Sequence, residues 1–406
     1  MTENTQLIEC DARPRDAREG GGEYENKEKA NMKKRDRLRR LLALPALVLG
    51  FACAQVNAGG KYSSYITGVT LKGLNGLPIS AGEDGDGDLW FTTWADDGKL
   101  YGTWSDGNGP NKGQNGCAYW TSLGVVRHAG AIGPKTVVTE LWRLDPVNPK
   151  CPRYSDAEKM KSGSILSIEG TLYASFQTTH PNCGVHCTDS GFLAMSTDRG
   201  KTWTDDRAAS PWTYNGPADP YDVWHPGSSP FRCLMLFNMG RDYVLNNDGY
   251  VYGFGIGMSY GWEPRTVFLA RVPAEKIMNY GAWRYYTGTG WSPDQYAAQP
   301  IANIEAWEQG SVIWHAGVQR YLFLTQTKLY ESKHPWGPWF EVNTHGVWGV
   351  PGSGWWGYQP GIISKGAGAK SFWFTFAGQP PLGFDVGYNL HYGRMVMILS
   401  GKTAEE

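Results

Sequence analysis

The sequence has almost no excess of charge of either sign. Its 406 residues include 38 Lys and Arg against 39 Asp and Glu, and charged residues make up only 19%. A nucleic-acid partner would need a concentrated basic surface, so the composition gives that function class no support. The chain also contains no glycine-rich phosphate loop, no nucleophile elbow and no nucleotide-binding motif. Nucleotide-dependent chemistry is therefore not expected.

A hydrophobic run of the length that spans a membrane is also missing. The best candidate, residues 41–53, is too short for a transmembrane helix and directly follows a basic run. Small residues come next, and this order is typical of a secretory signal peptide. We predict a disordered or misassigned extension over 1–31 and a signal peptide over 32–58. Residues 59–406 are then expected to form one secreted domain, periplasmic or extracellular, that is monomeric and has no transmembrane segment.

Cysteines are few, and five of the seven lie in the predicted mature chain. They are Cys117, Cys151, Cys183, Cys187 and Cys233. An odd number in an oxidising compartment predicts up to two disulfides and one free thiol, with Cys233 set aside as the free one. The segment HPNCGVHC leaves an alternative, because it holds residue types that bind zinc. That alternative zinc set is His180, Cys183, His186 and Cys187.

Glycine and aromatic residues are abundant, with 53 Gly and 19 Trp, which suits short strands joined by tight turns. From residue 63 a coarse strand–turn unit occurs five times. The five copies contain DLWFTTWADDGKLYGTWSDG, GSILSIEGTLYASFQTT, RDYVLNNDGYVYGFGIG, GSVIWHAGVQRYLFLTQTKLY and PGIISKGAGAKSFWFTFAG. This repetition predicts an all-β, five-bladed β-propeller, with SSYITGVTL pairing with the last blade to close the ring. A β-sandwich is the alternative, although it does not explain the recurring unit.

The segment STDRGKTW, residues 196–203, matches the Asp-box of sialidase-like propellers. In that motif the aspartate closes a turn, the glycine takes a positive φ and the tryptophan packs between strands. Asp198 and Trp203 are therefore expected to mark the fold and not to act in catalysis. The sequence has one clean Asp-box and no Phe/Tyr-Arg-Ile-Pro segment before it, which disfavours a sialidase.

Several longer segments carry a family resemblance. They are SGSILSIEGTLYASF, MSTDRGKTWT, NNDGYVYGFG, VFLARVPAEKIMNYGAWRYYTG and HPWGPWFEV. Together they resemble a group of secreted five-bladed propellers catalogued as a domain of unknown function, some members of which are endo-D-arabinanases. The resemblance implies a glycoside hydrolase whose catalytic residues are paired aspartates of the first blade. The matching positions are Asp88 in DLW and Asp106 in WSDG.

The residues themselves point to the same stretch. Asp84, Asp86 and Asp88 alternate, so an extended chain puts them on one face, and a hairpin centred on DDGK returns Asp106 towards Asp88. We expect Asp88 and Asp106 to act as acid and base in glycoside cleavage, with Asp86 in reserve. An irregular calcium site at Asp84, Asp86 and Asp88 is one alternative. Simple turn chemistry is the other, and no further cofactor is expected.

Aromatic residues are the next candidates, as contacts for a polysaccharide or oligosaccharide. HGVWGVPGSGWWGYQP is a glycine-rich segment in which an exposed ring would stack on a sugar. Packing between blades is the alternative for each ring. The predicted aromatic contacts are Trp90, Trp348, Trp355, Trp356 and Tyr358.

Three further residues support a different reaction class. His315 in SVIWH or Tyr243 in GRDYV would serve as the base of a polysaccharide lyase, and Arg241 would hold a uronate carboxylate. The sequence thus leaves three functions open: a glycoside hydrolase, a polysaccharide lyase and a non-catalytic carbohydrate-binding propeller.

Overall fold

The computed structural model describes residues 61–72, 79–80, 86–110, 121–133, 135–144, 160–179, 188–216, 227–257, 264–348, 357–377 and 389–401. The predicted extension and signal peptide lie outside these residues. Among the described residues, no helix has the length and apolar character needed to cross a bilayer.

Strands dominate the described part of the chain, and the predicted all-β class is confirmed. The strands are β1 Ile66–Lys72, β2 Ile79–Ser80, β3 Asp86–Asp88, β4 Thr92–Trp94, β5 Leu100–Gly109, β6 Gly124–Ala129, β7 Val137–Arg143, β8 Met160–Ile168, β9 Thr171–Thr179, β10 Thr188–Ser196, β11 Thr204–Asp205, β12 Leu234–Asn238, β13 Tyr250–Gly255, β14 Pro264–Thr266, β15 Phe268–Pro273, β16 Arg284–Tyr286, β17 Trp291–Ser292, β18 Glu305–Trp307, β19 Ser311–His315, β20 Arg320–Leu324, β21 Leu329–Ser332, β22 Phe340–Glu341, β23 Tyr358–Gly368, β24 Ser371–Ala377 and β25 Leu390–Leu399. Three-residue 3-10 helices lie at Arg207–Ala209, Arg241–Tyr243, Ala274–Lys276, Tyr280–Ala282 and Gln295–Ala297.

The strands pair in antiparallel meanders that follow the sequence. The first holds β3 to β7, and the second holds β8 to β11. Next come β12, β13, β15, β16 and β17, and then β19 to β22, with β12 and β19 paired in parallel. The last meander runs from β23 to β25 and takes β1 as its outer strand. The strands β14 and β18 form a separate pair, and β2 adds to β25.

One strand from each of the five meanders takes part in a closed order of contacts. We call β4, β8, β12, β19 and β23 the inner strands. Each contacts the next one in this sequence, and β23 returns to β4. At the other edge of the last sheet, Ile66 of β1 pairs with Leu399 of β25. The predicted pairing of SSYITGVTL with the last sheet is therefore observed, and it covers the edge of β25 that would otherwise be unpaired.

Short polar side chains join the inner strands to one another. Thr93 Oγ1 donates to Asn238 Oδ1 at 2.7 Å, and Asn238 Nδ2 donates to the carbonyl of Ile165 at 3.1 Å. The backbone N–H of Leu236 donates to Ser164 Oγ at 2.8 Å. Each buried hydrogen bond of this kind contributes about 1 kcal/mol, and it prevents a larger cost for an unpaired buried group. These hydrogen bonds therefore fix neighbouring inner strands relative to one another.

The Asp-box segment closes the turn between β10 and β11. Asp198 Oδ1 accepts hydrogen bonds from the backbone N–H groups of Lys201 and Thr202, at 3.1 and 2.9 Å. Gly200 has a φ of 84°, a backbone conformation that is energetically costly for any residue with a side chain. The ring of Trp203 packs edge-on against Phe176, with centroids 5.7 Å apart. The contacts of Asp198 and Trp203 are thus those of a turn and a core.

A buried histidine makes the fold sensitive to acid. His128 of β6 is buried, and its Nδ1 lies 2.6 Å from the hydroxyl of Tyr392 in β25. Burial lowers the pKa of His128 to about 4. The unfolded chain takes up this proton near pH 6.5 and the folded chain only near pH 4, so the free energy of unfolding decreases as the pH falls between these values.

We therefore expect His128→Gln to reduce the acid sensitivity of the fold. Between pH 7 and pH 5 the wild type should lose about 2 kcal/mol more unfolding free energy than the variant, at 1.36 kcal/mol per pKa unit. Urea unfolding at both pH values measures the difference. Comparing each protein with itself removes any overall effect of the substitution on stability. Equal losses in the two proteins would contradict the prediction.

Candidate active site

Titratable and amide side chains gather where the inner strands begin. We call this group the carboxyl cluster, and it consists of Asp88, Asp106, Lys161, Glu308 and Gln359. Asp88 leads into β4, Lys161 is the second residue of β8, Glu308 leads into β19, and Gln359 is the second residue of β23. Asp106 comes from β5. Asp88, Lys161, Glu308 and Gln359 are buried, and Asp106 is partly exposed.

The backbone brings the two predicted catalytic aspartates to the same lysine. Asp88 pairs with Ser105 across β3 and β5, so regular alternation would send the next side chain, Asp106, to the opposite face. Asp106 instead has a φ of 51°, and this left-handed backbone interrupts the alternation. Its Oδ2 is ion-paired with Nζ of Lys161. The same ammonium interacts electrostatically with Asp88, so the structure brings Asp88 and Asp106 together.

Lys161 is a buried cation among carboxyl groups. Burial lowers the pKa of Lys161 below its usual value, and the negative charges that Asp88 and, at alkaline pH, Glu308 carry oppose this shift. An isolated buried charge costs several kcal/mol, whereas an ion pair recovers much of that cost. The Lys161–Asp106 pair therefore stabilises the negative charge on Asp106.

Glu308 is the acidic residue of the cluster that sequence reasoning missed. Its side chain is 3% exposed, and its Oε2 accepts a hydrogen bond of 3.0 Å from Nε2 of Gln359. The hydroxyl of Tyr358 also hydrogen-bonds this carboxyl group. Burial, reinforced by the nearby charge of Asp88, raises the pKa of Glu308 to about 8, while Gln359, Tyr358 and Lys161 act in the opposite direction. At neutral pH the carboxyl group of Glu308 holds its proton.

Backbone strain also occurs at and beside the carboxyl cluster. Leu89, Asp106, Glu308 and Gln359 have φ values of 54°, 51°, 56° and 48°. None of the four is glycine, so each of these left-handed conformations costs about 1–3 kcal/mol. Strain of this kind persists only where the surrounding structure fixes the backbone, so the residues of the carboxyl cluster are held in a demanding geometry.

The sequence of the chain gives a family relationship. Residues 163–369, slightly more than half of the chain, match the profile of the family described as Domain of unknown function (DUF4185). The chain belongs to this family. A search of curated proteins finds no match.

Solved structures with a similar chain path include three from different organisms. A Bacteroides ovatus protein is 14% identical over 79% of this chain and 87% of its own, with a TM-score of 0.48. The alpha-L-arabinofuranosidase PaAbf62A from Podospora anserina, in complex with cellotriose, is 10% identical over 85% and 100%, with a TM-score of 0.46. A GH43_1 enzyme from Xanthomonas citri is 15% identical over 81% and 94%, with a TM-score of 0.44. These similarities assign no activity to the DUF4185 chain.

Two tryptophans predicted to contact sugar are core residues of the DUF4185 chain. Trp90 is fully buried, stacks on Trp104 at 6.0 Å between centroids, and donates from Nε1 to the carbonyl of Gly87 at 2.8 Å. Trp348 is 2% exposed and donates to the carbonyl of Thr325 at 3.0 Å. Neither ring face is open to a ligand, so the prediction of sugar stacking is wrong for both. Their indole groups satisfy buried carbonyls instead.

The residues considered for a lyase do not reach the carboxyl cluster. His315 ends β19, is 1% exposed, and its Nε2 lies 3.1 Å from the carbonyl of Ser371. Arg241 and Tyr243 follow the end of β12, where Arg241 donates to the backbone carbonyl of Asp96. The hydroxyl of Tyr243 donates to the carbonyl of Tyr250 at 3.0 Å, and burial raises its pKa well above 10. All three lie at the ends of inner strands, whereas the cluster lies at their beginnings, so their expected contact with the site is not observed.

Tyr358 is the predicted aromatic contact that the structure does bring to the cluster, through its hydrogen bond to Glu308. Asp86 lies in β3, and the structure describes only its backbone. Among the described residues, no group of three or more His, Cys, Asp and Glu side chains has the geometry of a metal site. Cys233 is buried as a free thiol. Several predictions fall on residues outside the described ranges: those for Asp84, Trp355 and Trp356, the other four mature cysteines, and the zinc set with His180 and His186.

Proposed function

We propose that this DUF4185 protein is a secreted glycoside hydrolase that cleaves a polysaccharide. The observation that carries the proposal is the meeting of Asp88 and Asp106 around the buried ammonium of Lys161. Hydrolysis of a glycosidic bond commonly uses carboxyl groups that flank the bond, with one protonated and one ionised. A lysine that fixes the ionised state of one aspartate supplies half of this requirement.

We further propose that the described meanders are the five blades of a β-propeller. The closed order of contacts among the inner strands and the pairing of β1 with β25 support this count. In such a fold, the beginnings of inner strands converge on one end of a central axis. A substrate lying across that end would reach residues from several blades at once, which suits a long polysaccharide chain.

The charge of the cluster favours an uncharged glycan, such as an arabinan-like polymer. At neutral pH Glu308 is uncharged, and Asp88 and Asp106 together outnumber the single cation Lys161, so the site offers no net attraction for a uronate. Arg241, the cation considered for that role, is bound to Asp96 at the other end of the strands. A lyase therefore has no supporting observation. Tyr358 remains the proposed aromatic contact with substrate, and the export, the monomeric state and the calcium alternative remain proposals from the sequence.

A panel of bacterial, algal and plant glycans, including arabinan, tests the function. The mature chain should release new reducing ends from at least one neutral polysaccharide. Ultraviolet-absorbing unsaturated ends would instead indicate a lyase. A shift in affinity electrophoresis without any product would indicate a carbohydrate-binding protein. Either of these results, obtained with purified and folded protein, would contradict the proposal.

A further inference from the structure

We propose that Glu308 is the proton donor of this site, a role that rests on the proposed hydrolase function. The sequence predicts that Asp88 and Asp106, both from the first meander, are the acid and the base. The structure assigns the proton to a third carboxyl group, which comes from the segment between β18 and β19.

The position of Glu308 is fixed from several sides. Gly310, two residues later, approaches β20 so closely that a Cβ there would lie 2.3 Å from the carbonyl oxygen of Leu324. The φ of 56° at Glu308 and the hydrogen bonds from Gln359 and Tyr358 hold the carboxyl group towards Asp88 and Lys161. A carboxyl group held this firmly keeps a defined geometry toward a bound glycosidic oxygen.

The charges that face Glu308 separate the roles of the three acids. The charged neighbours of Glu308 are Asp88 and Lys161, and the hydroxyl of Tyr358 is its uncharged titratable neighbour. Asp106 is ion-paired with Lys161. The pKa of Glu308 is raised to about 8, chiefly by burial, so this group is a neutral acid at physiological pH. Asp106 has its charge balanced by the ammonium. Environments that separate the pKa values of neighbouring groups in this way determine which group acts as acid and which as base in an active site.

The bond between the anomeric carbon and the leaving oxygen breaks, and the carboxyl proton of Glu308 passes to that oxygen. Water forms the new bond to the anomeric carbon and gives its proton to an ionised aspartate of the pair. Glu308 is left as a carboxylate near Lys161, and one proton returns to it from solvent as the aspartate releases one.

Glu308→Gln tests the role, because glutamine keeps the shape and the hydrogen bonds but carries no acidic proton. On the glycan that the wild type hydrolyses, kcat should fall on the order of a hundredfold or more. On an aryl glycoside of the same sugar with a nitrophenolate leaving group, which needs little protonation, the loss should shrink to a small factor. Glu305→Gln is the matched control, since Glu305 is partly exposed and pairs with Lys328. This control should retain wild-type activity on both substrates.

The pH profile gives a second readout on the same protein. Wild-type activity should fall as the pH rises through about 8, because Glu308 then loses its proton. Without substrate, difference infrared spectroscopy should show a protonated carboxyl band that disappears over the same range and is missing in Glu308→Gln. Thermal melts establish that each variant is folded.

The outcomes separate the two proposals. If Glu308→Gln is folded and loses the same factor on both leaving groups, or loses nothing while Asp88→Asn is inactive, Glu308 is not the proton donor and the hydrolase function stands. An infrared band near pH 7 that persists in Glu308→Gln would also overturn the assignment. If no glycan is hydrolysed by the wild type, the function and the donor role fall together.

Discussion

Asp88→Asn and Asp106→Asn should each lower the rate of glycan hydrolysis on the order of a hundredfold or more. Asparagine preserves the size of the side chain but cannot ionise, so it cannot accept a proton from water or carry the negative charge that the site needs. The expected loss is in kcat on the polysaccharide identified from the panel. Unlike the loss in Glu308→Gln, it should persist when the leaving group is nitrophenolate, because the ionised partner is still missing.

The melting temperature gives a separate measurement for Asp106. Asp106→Asn removes the ion-pair partner of buried Lys161, which should lower the melting temperature, since breaking a buried pair costs about 3–5 kcal/mol. Asp206→Asn is the control, because Asp206 is exposed and its side chain makes no capping hydrogen bond to the 3-10 helix that follows it. Full activity in both folded site variants would show that the assignment is wrong. Melting temperatures that calcium restores would favour the metal alternative at Asp84, Asp86 and Asp88.

Gly191→Ala should strongly destabilise the scaffold. Gly191 lies in β10, and a Cβ at this position would sit 2.2 Å from the carbonyl oxygen of Arg232. All three of its nearest atoms belong to the Arg232 backbone, so no side chain can rotate away. The two meanders must then separate, at a cost of about 3 kcal/mol or more. We expect the melting temperature to fall by roughly 5 °C or more, or folded protein to be lost altogether.

Gly290→Ala provides the comparison for this variant. Its closest atom would be Thr287 Oγ1 at 3.8 Å, an ordinary contact, and its backbone needs no positive φ. Alanine should therefore leave the melting temperature unchanged or raise it slightly, through the lower entropy of the unfolded chain. Similar melting temperatures for the two variants, measured by calorimetry, would refute the close approach at Gly191.

The part of the site that sequence reasoning found is the part that local structure specifies. Asp88 and Asp106 are joined by a hairpin whose turn residues are visible in DDGK, and alternation along a strand is a local rule. Glu308 reaches Asp88 only because the order of the inner strands is closed, and contacts of that kind leave no periodic signal. The one hint in the sequence is that Glu308, in EQG, lies directly before the apolar strand SVIWH. Glutamate is rarely buried in proteins, so a glutamate next to a buried strand is a candidate for a functional role.

The aromatic predictions failed for a related reason. Trp348 and Tyr358 occupy one glycine-rich stretch, yet the first packs edge-on against Phe374 and the second hydrogen-bonds Glu308. Composition identifies such a stretch as rich in rings but cannot tell which ring faces the core, because that depends on side chains from another sheet. Trp90 lies two residues after Asp88, where the φ of 54° at Leu89 breaks the alternation that would have predicted its direction.

The pairing of β1 with β25 affects how the chain reaches this structure. The first strand of the described residues has its partner near the C-terminal end of that part of the chain, so it stays unpaired until nearly all of these residues have been made. Contacts between such distant residues are slow to form, and strand edges that stay unpaired in the meantime promote aggregation. A circular permutant that places β1 directly after β25 would turn this distant pairing into a local hairpin. Its refolding should be faster, with the same final arrangement of the carboxyl cluster.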